Sequence, residues 1–256
     1  MPNISYKTAL ITGGAKRIGR VMCKYLAEEG WSICLHYLNS NKEADETLEI
    51  IDKLGGKAIK VKANLNNETE TRELFNSAKN AIGPIGLLIN NASIFYPEDW
   101  HEVTDLSWNN NFNINLKAPF ILSQEFAKSL PKNSNGLILN LIDQRVLNLK
   151  SDFFSYTISK SALYSLTKSM ALFLSPKIRV NGISPGPTLK SKNQTSKQFE
   201  DQILRTPLKK QIGLNEINSA IDYIFKNKSI TGEVLTLDSG QSLGWANSKS
   251  KVFSTD

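Results

Sequence analysis

Apolar positions along this chain alternate between two textures. Short, β-prone apolar runs fall at Thr8–Thr12, Ser32–Tyr37, Ala58–Lys62, Gly86–Asn90, Leu137–Ile142, Ile178–Ile183 and Glu233–Leu237. Longer segments with helical period lie between them, at Ile18–Glu29, Lys42–Leu54, Glu68–Ala81, Trp108–Ser129, Phe154–Leu174 and Glu216–Phe225. A strand that shows no polar alternation is covered on both faces, and strands that alternate with helices form βαβ units. Right-handed crossovers then predict a single α/β domain over all 256 residues: a doubly wound parallel sheet flanked by helices. One irregular stretch, Ser184–Lys197, carries Pro185, Gly186 and Pro187 and is expected to be a loop over the carboxyl ends of the strands.

Composition narrows the class without identifying it. With 40% hydrophobic and 21% charged residues the chain is neither disordered by composition nor a membrane protein, and apolar runs such as Leu137–Ile142 are far shorter than the roughly 20 residues of a spanning helix. Met1 to Ala9 lacks the pattern of a secretory signal. Cys23 and Cys34 give neither a disulfide framework nor metal spacing, so a reducing cytoplasm is the expected compartment and no metal is expected. Lys and Arg outnumber Asp and Glu by 31 to 24, but the lysines are scattered, and no nucleic-acid partner is expected.

The first strand runs straight into Gly13-Gly14-Ala15-Lys16-Arg17-Ile18-Gly19 and then a helix. A glycine-rich turn at such a junction lets the backbone and the helix N-terminus approach a pyrophosphate, so Gly13, Ile18 and Gly19 are expected at a dinucleotide. The second strand ends without the carboxylate that binds a ribose 2′-hydroxyl; His36, Ser40 and Arg17 stand there instead and can donate to a 2′-phosphate, which predicts NADPH/NADP+. Tyr156 and Lys160 are four apart on a predicted helix and share one face, where an ammonium is expected to lower the phenol pKa toward neutrality and give a proton donor or acceptor.

Taken with Asn90-Asn91-Ala92-Ser93, Asn115, Asn181-Gly182-Ile183-Ser184-Pro185-Gly186 and Leu237-Asp238-Ser239-Gly240, these motifs resemble the short-chain dehydrogenase/reductase family over essentially the full length. The resemblance implies a Rossmann-like domain, Tyr156 as acid, Lys160 tuning it and holding the nicotinamide ribose, and Asn115 positioning a relay water. It also implies cofactor contacts at Asn64, Asn91, Ala92, Ser93, Pro185 and Gly186, and a homotetramer.

Two departures sharpen the resemblance. Arg17 occupies a slot that is glycine in most members, and Asp143 stands 13 residues before Tyr156 where a serine is usual. Both resemble the pteridine reductase and dihydromonapterin reductase branch, as does Asn90-Asn-Ala-Ser-Ile-Phe-Tyr-Pro97. Within that branch Arg17 reaches cofactor phosphates and substrate, Ser93 contacts cofactor and pterin, and Phe95 stacks on the pterin ring. Asn39 and Asn64 depart from the branch, where some members have arginine and aspartate. A pterin presents ring C=N bonds whose nitrogen must be protonated, a task a carboxyl bonded to Tyr156 suits better than a serine hydroxyl does. The expected activity is therefore NADPH-dependent reduction of a small-molecule dihydropterin to the tetrahydro form. A short-chain carbonyl reductase acting on, for instance, 3-oxoacyl thioesters, and a non-catalytic NADP(H)-binding sensor remain as alternatives. Trp245 is a further candidate for the pocket wall.

Overall fold

The computed structural model describes residues 4–192 and 194–244. Seven parallel strands form one sheet in the order β3-β2-β1-β4-β5-β6-β7. They are β1 (Thr8–Ile11), β2 (Ser32–Tyr37), β3 (Lys57–Lys62), β4 (Leu87–Asn90), β5 (Gly136–Leu141), β6 (Ile178–Pro185) and β7 (Val234–Leu237). Strand order reverses between β1 and β4, and the crevice at the carboxyl ends of such a pair is where ligands bind in this architecture.

Helices cover both faces, as the unalternating strands require. α1 (Arg17–Glu28), α2 (Asn41–Lys53) and α8 (Leu214–Lys226) bury one face, where Ile11, Ile33, Leu35 and Ile89 meet Leu26 and Ile221, and Trp31 stacks on Phe225. The other face is covered by α3 (Glu68–Ile82), α5 (Ala118–Ser129) and α6 (Phe154–Leu174), with Leu10, Leu88, Ile138 and Val180 packed on Phe75 and Phe126. Each fully buried Leu, Ile or Phe contributes about 1.5–3 kcal/mol, so the two layers dominate stability.

The long helix predicted at Trp108–Ser129 has two pitches. α4 (Asp105–Phe112) starts earlier, at a capping box in which Thr104 and Ser107 exchange hydrogen bonds, and leads through a π-helical turn at Asn113–Lys117 into α5. Pro119 accounts for the wider turn: it has no N–H for the Asn115 carbonyl, and its ring would crowd that oxygen in an α-helical turn.

The stretch expected to be irregular is shorter than predicted. Ser184 and Pro185 continue β6 in register with Thr236 and Leu237 of β7, and Ser196 already belongs to α7 (Ser196–Leu204), which starts at a Thr195/Gln198 capping box. Among the described residues no helix is long and apolar enough to cross a membrane.

Candidate active site

A cavity of about 1000 Å³ opens at the carboxyl ends of β1, β2, β4, β5 and β6. Every residue predicted to bind cofactor or substrate lines it, together with Asp143, Tyr156 and Lys160.

The β1–α1 turn is built for close approach. Gly13 has φ +64, and a Cβ at Gly19 would lie 2.0 Å from the Gly13 carbonyl oxygen, so backbone occupies the space a side chain would need. Thr12 and Asn91 hold the turn against β4: the Thr12 hydroxyl accepts the N–H groups of Asn91 (2.9 Å) and Ala92 (3.0 Å), while Asn91 Nδ2 donates to the Thr12 (2.9 Å) and Gly13 (3.2 Å) carbonyls. Arg17 has φ +54, a conformation that favours glycine, which explains why this slot tolerates glycine in the family the sequence resembles. Its guanidinium donates to the carbonyls of Lys190 (2.9 Å) and Leu189 (3.2 Å), tying the turn to the segment after β6.

His36 plays a different part from the one expected. It is buried; Nδ1 accepts the Gly13 N–H at 3.1 Å and Nε2 lies 3.0 Å from the Ala63 carbonyl, so the ring is a neutral tautomer with its one N–H already given to backbone. Burial lowers its pKa to about 4. The ring fastens the glycine turn to β2 and has no N–H to offer a phosphate. Lys16 lies nearby: its Nζ is 2.5 Å from Ser40 Oγ and 3.7 Å from Glu43, at the end of β2. Lys16 lines the cavity although the glycine motif does not single it out; a cation inside the turn beside Arg17 is the signal for it. Asn64, at the adenine side by resemblance, is held by its N–H to Glu70 (2.7 Å) and its side chain to the Asn66 N–H (3.0 Å).

On the other side of the cavity, Tyr156 Oη lies 2.7 Å from Asp143 Oδ2. Asp143 follows β5 and also caps the short 3₁₀ turn Gln144–Val146 through the Arg145 N–H (2.9 Å), so one carboxylate serves both the loop and the phenol. The Arg145 side chain pairs with Asp152 at 2.6 Å rather than with Asp143. Burial, followed by the Asp143 charge and hydrogen bond, pushes the Tyr156 phenol well above its ordinary pKa, against the opposing effects of Arg145 and of the Ser93 hydroxyl. The lowering expected from Lys160 is therefore reversed. The Lys160 ammonium donates to the Leu141 carbonyl at 2.7 Å and lies 6.0 Å from the Tyr156 ring centre, aimed at backbone rather than at the phenol oxygen. Burial lowers its own pKa to about 8, with Asp143 opposing.

Asn115 is the one predicted catalytic residue that does not line the cavity. Its Oδ1 accepts from Ser93 Oγ and the Ile94 N–H (3.0 Å each), and its Nδ2 donates toward Ile94, Asn111 and Ser159. With every polar atom engaged, the side chain braces the turn after β4 and has none left for the relay water the resemblance implies.

Phe95 faces Tyr156 edge-on at 4.7 Å and stacks in parallel on Phe153 at 3.9 Å. Phe153 was not anticipated; it stands at φ 55 just before α6, with the Arg145 guanidinium 4.7 Å from its ring. One face of Phe95 is thereby covered. Tyr96 and Trp100 are 47% and 68% exposed, and Trp245 lies outside the described residues. Among the described residues no cluster of His, Cys, Asp and Glu could hold a metal.

Residues 7–201 match the short chain dehydrogenase family. Glucose 1-dehydrogenase 2 of Bacillus subtilis is 28% identical over 94% of this chain and 96% of its own. The 3-oxoacyl-[acyl-carrier-protein] reductase FabG of Staphylococcus epidermidis is 27% identical over 91% and 98%. Among solved structures, the FolM alternative dihydrofolate reductase 1 of Brucella canis, complexed with NADP, is 40% identical and superimposes with a TM-score of 0.91 over 96% of this chain and 97% of that one.

Proposed function

The chain belongs to the short chain dehydrogenase family of oxidoreductases, and within it we propose that this protein is an NADPH-dependent reductase of pterin-type substrates, converting a dihydropterin to the tetrahydro form. The observation that carries the reading is the 2.7 Å hydrogen bond between Tyr156 and Asp143 beside the Phe95 ring. The 40% identity to a FolM alternative dihydrofolate reductase supports it further.

The cavity residues fit a dinucleotide. Glycines whose Cβ positions are filled by backbone let a pyrophosphate reach the N-terminus of α1, while Lys16, Ser40 and Arg17 supply donors and positive charge for phosphates. When bound, the reduced dinucleotide supplies hydride to a ring carbon of the substrate.

The protein supplies the matching proton to the adjacent ring nitrogen. Tyr156 holds its proton at neutral pH because burial and Asp143 raise its pKa, so Oη is a donor rather than a base. As the proton leaves, the Ser93 hydroxyl and the positive charge of Arg145 favour the phenolate, and Asp143, which lines the cavity, returns a proton to it. Phe95, covered by Phe153 on one face, offers its remaining surface to a flat heteroaromatic ring, an offset contact worth roughly 0.5–1.5 kcal/mol.

We place the enzyme in a reducing cytoplasm, consistent with two buried free cysteines, and as a homotetramer; Leu172 and Phe173, 84% and 87% exposed at the end of α6, suit an interface between copies.

The test follows NADPH oxidation with dihydrobiopterin, dihydromonapterin and dihydrofolate beside a 3-oxoacyl thioester and glucose with NADP+. Turnover confined to the pterin group is expected. Turnover confined to the thioester or to glucose would replace this reading with the carbonyl-reductase one.

A further inference from the structure

One buried carboxylate has no part in the chemistry above. Glu98, in the segment between β4 and α4, is 6% exposed and faces the first turn of α6 with both backbone and side chain. Its carbonyl accepts the Phe153 N–H at 2.7 Å; its Oε1 accepts the Ser155 N–H at 2.8 Å and the Ser155 hydroxyl. The first N–H groups of a helix have no partner within it, and α6 has no side-chain cap of its own: Phe153, at the N-cap, sits at φ 55, ψ 50 and makes no capping bond. Glu98 supplies from another segment what the local sequence omits, and its negative charge lies at the positive end of the longest helix described.

The contact extends into the site. Ser155 Oγ, having given its proton to Glu98, accepts from Asn111 Nδ2 at 2.7 Å; Asn111 Oδ1 accepts from Asn115 Nδ2 at 3.1 Å; and Asn115 Oδ1 returns to Ser93 and Ile94. These bonds join the segment after β4, α4, the π-helical turn and α6 in a circuit. Two aromatic contacts close the same seam, Phe95 on Phe153 and Trp100 edge-on to Phe154 at 5.0 Å. Tyr156 is the residue after Ser155.

We propose that Glu98 is a positioning residue: by clamping the first turn of α6 to the segment that carries Ser93 and Phe95, it sets the Tyr156 hydroxyl on Asp143. The inference rests on Tyr156 being the proton donor. A neutral amide oxygen can still accept both Ser155 bonds, without the charge, so Glu98→Gln keeps the geometry of the clamp whereas Glu98→Ala removes it.

The experiment compares both variants with the parent enzyme by circular dichroism, NADPH binding, kcat and KM, and the ¹³C shift of Tyr156 Cζ in tyrosine-labelled protein. That shift reports the bond to Asp143, and Tyr156→Phe assigns the signal. Glu98→Ala is expected to bind NADPH within about threefold of the parent, to lose kcat by about tenfold or more, and to move the Cζ signal; Glu98→Gln is expected to restore both. Parent kcat and Cζ shift in Glu98→Ala, or a Glu98→Gln as impaired as Glu98→Ala, would overturn the proposal. Should Glu98→Ala fail to fold, Ser155→Ala, which keeps the backbone bond and cuts the circuit, must still move the Cζ signal, and an unmoved signal overturns it. The Cζ shift is read without substrate, so an absence of pterin turnover would reject the proposed function and leave this inference standing or falling on its own signal.

Discussion

Asp143 accepts the Tyr156 hydroxyl and the Arg145 N–H on different oxygens, so a single carboxylate couples the proton donor to the fold of the loop beside it. Asp143→Asn keeps the size and one acceptor but cannot exchange a proton. Its kcat on a dihydropterin is expected to fall about 100-fold, the lower range for loss of acid–base assistance, with KM for NADPH within about twofold. Steady-state kinetics with both substrates varied check this; an unchanged kcat would reduce Asp143 to a loop cap.

Acid should unseat the glycine turn through His36. Its pKa is lowered from 6.5 to about 4 in the fold, so the unfolded chain takes up the proton first. The stability this group contributes is complete above about pH 6.5 and is lost as pH falls toward 4, a span worth a few kcal/mol. His36→Gln is expected to flatten the fall of Tm between pH 6.5 and 4. Parallel slopes in the two proteins would contradict it. The protonated ring can no longer accept the Gly13 N–H, so NADPH affinity should weaken over the same range.

Selectivity for a 2′-phosphate is expected to reside in Lys16 more than in His36. Lys16→Ala should weaken NADPH binding about tenfold or more while leaving NADH within about twofold, since a charge-assisted contact to a phosphate contributes about 1.5–3 kcal/mol. Titration of both nucleotides by fluorescence measures the ratio.

Gly19→Ala would drive a methyl to within 2.0 Å of the Gly13 carbonyl oxygen, a backbone atom with no rotamer to move into. A loss of NADPH binding together with a lower Tm is expected. Normal nucleotide binding by a folded Gly19→Ala protein would show that the turn has more room than its geometry gives it.

The sheet was legible because its strands are buried on both faces and the helices between them keep a clear period; all seven strands lie where apolar runs predict them. α7 was hidden because Pro185, Gly186 and Pro187 dominate the preceding stretch and none of its residues is buried, leaving only the Thr195/Gln198 capping box as a signal. The π-helical turn was equally hidden, since Pro119 reads as part of an otherwise good helix. In the site, Tyr156, Lys160 and Asp143 converge as spacing and resemblance imply. The directions of their hydrogen bonds were out of reach: a sequence places His36 at a strand end but does not say that its ring is spent on Gly13 and Ala63.

Arg17 joins two parts of the chain 172 and 173 residues apart, the turn after the first strand and the carbonyls of Leu189 and Lys190. Contacts so distant in sequence form only after the intervening chain has closed on itself, and closure entropy rises slowly, by about 0.6 kcal/mol per doubling of length. Because that cost rises so slowly, the two hydrogen bonds of Arg17 carry little more entropic burden for spanning most of the chain than a contact across half that separation would.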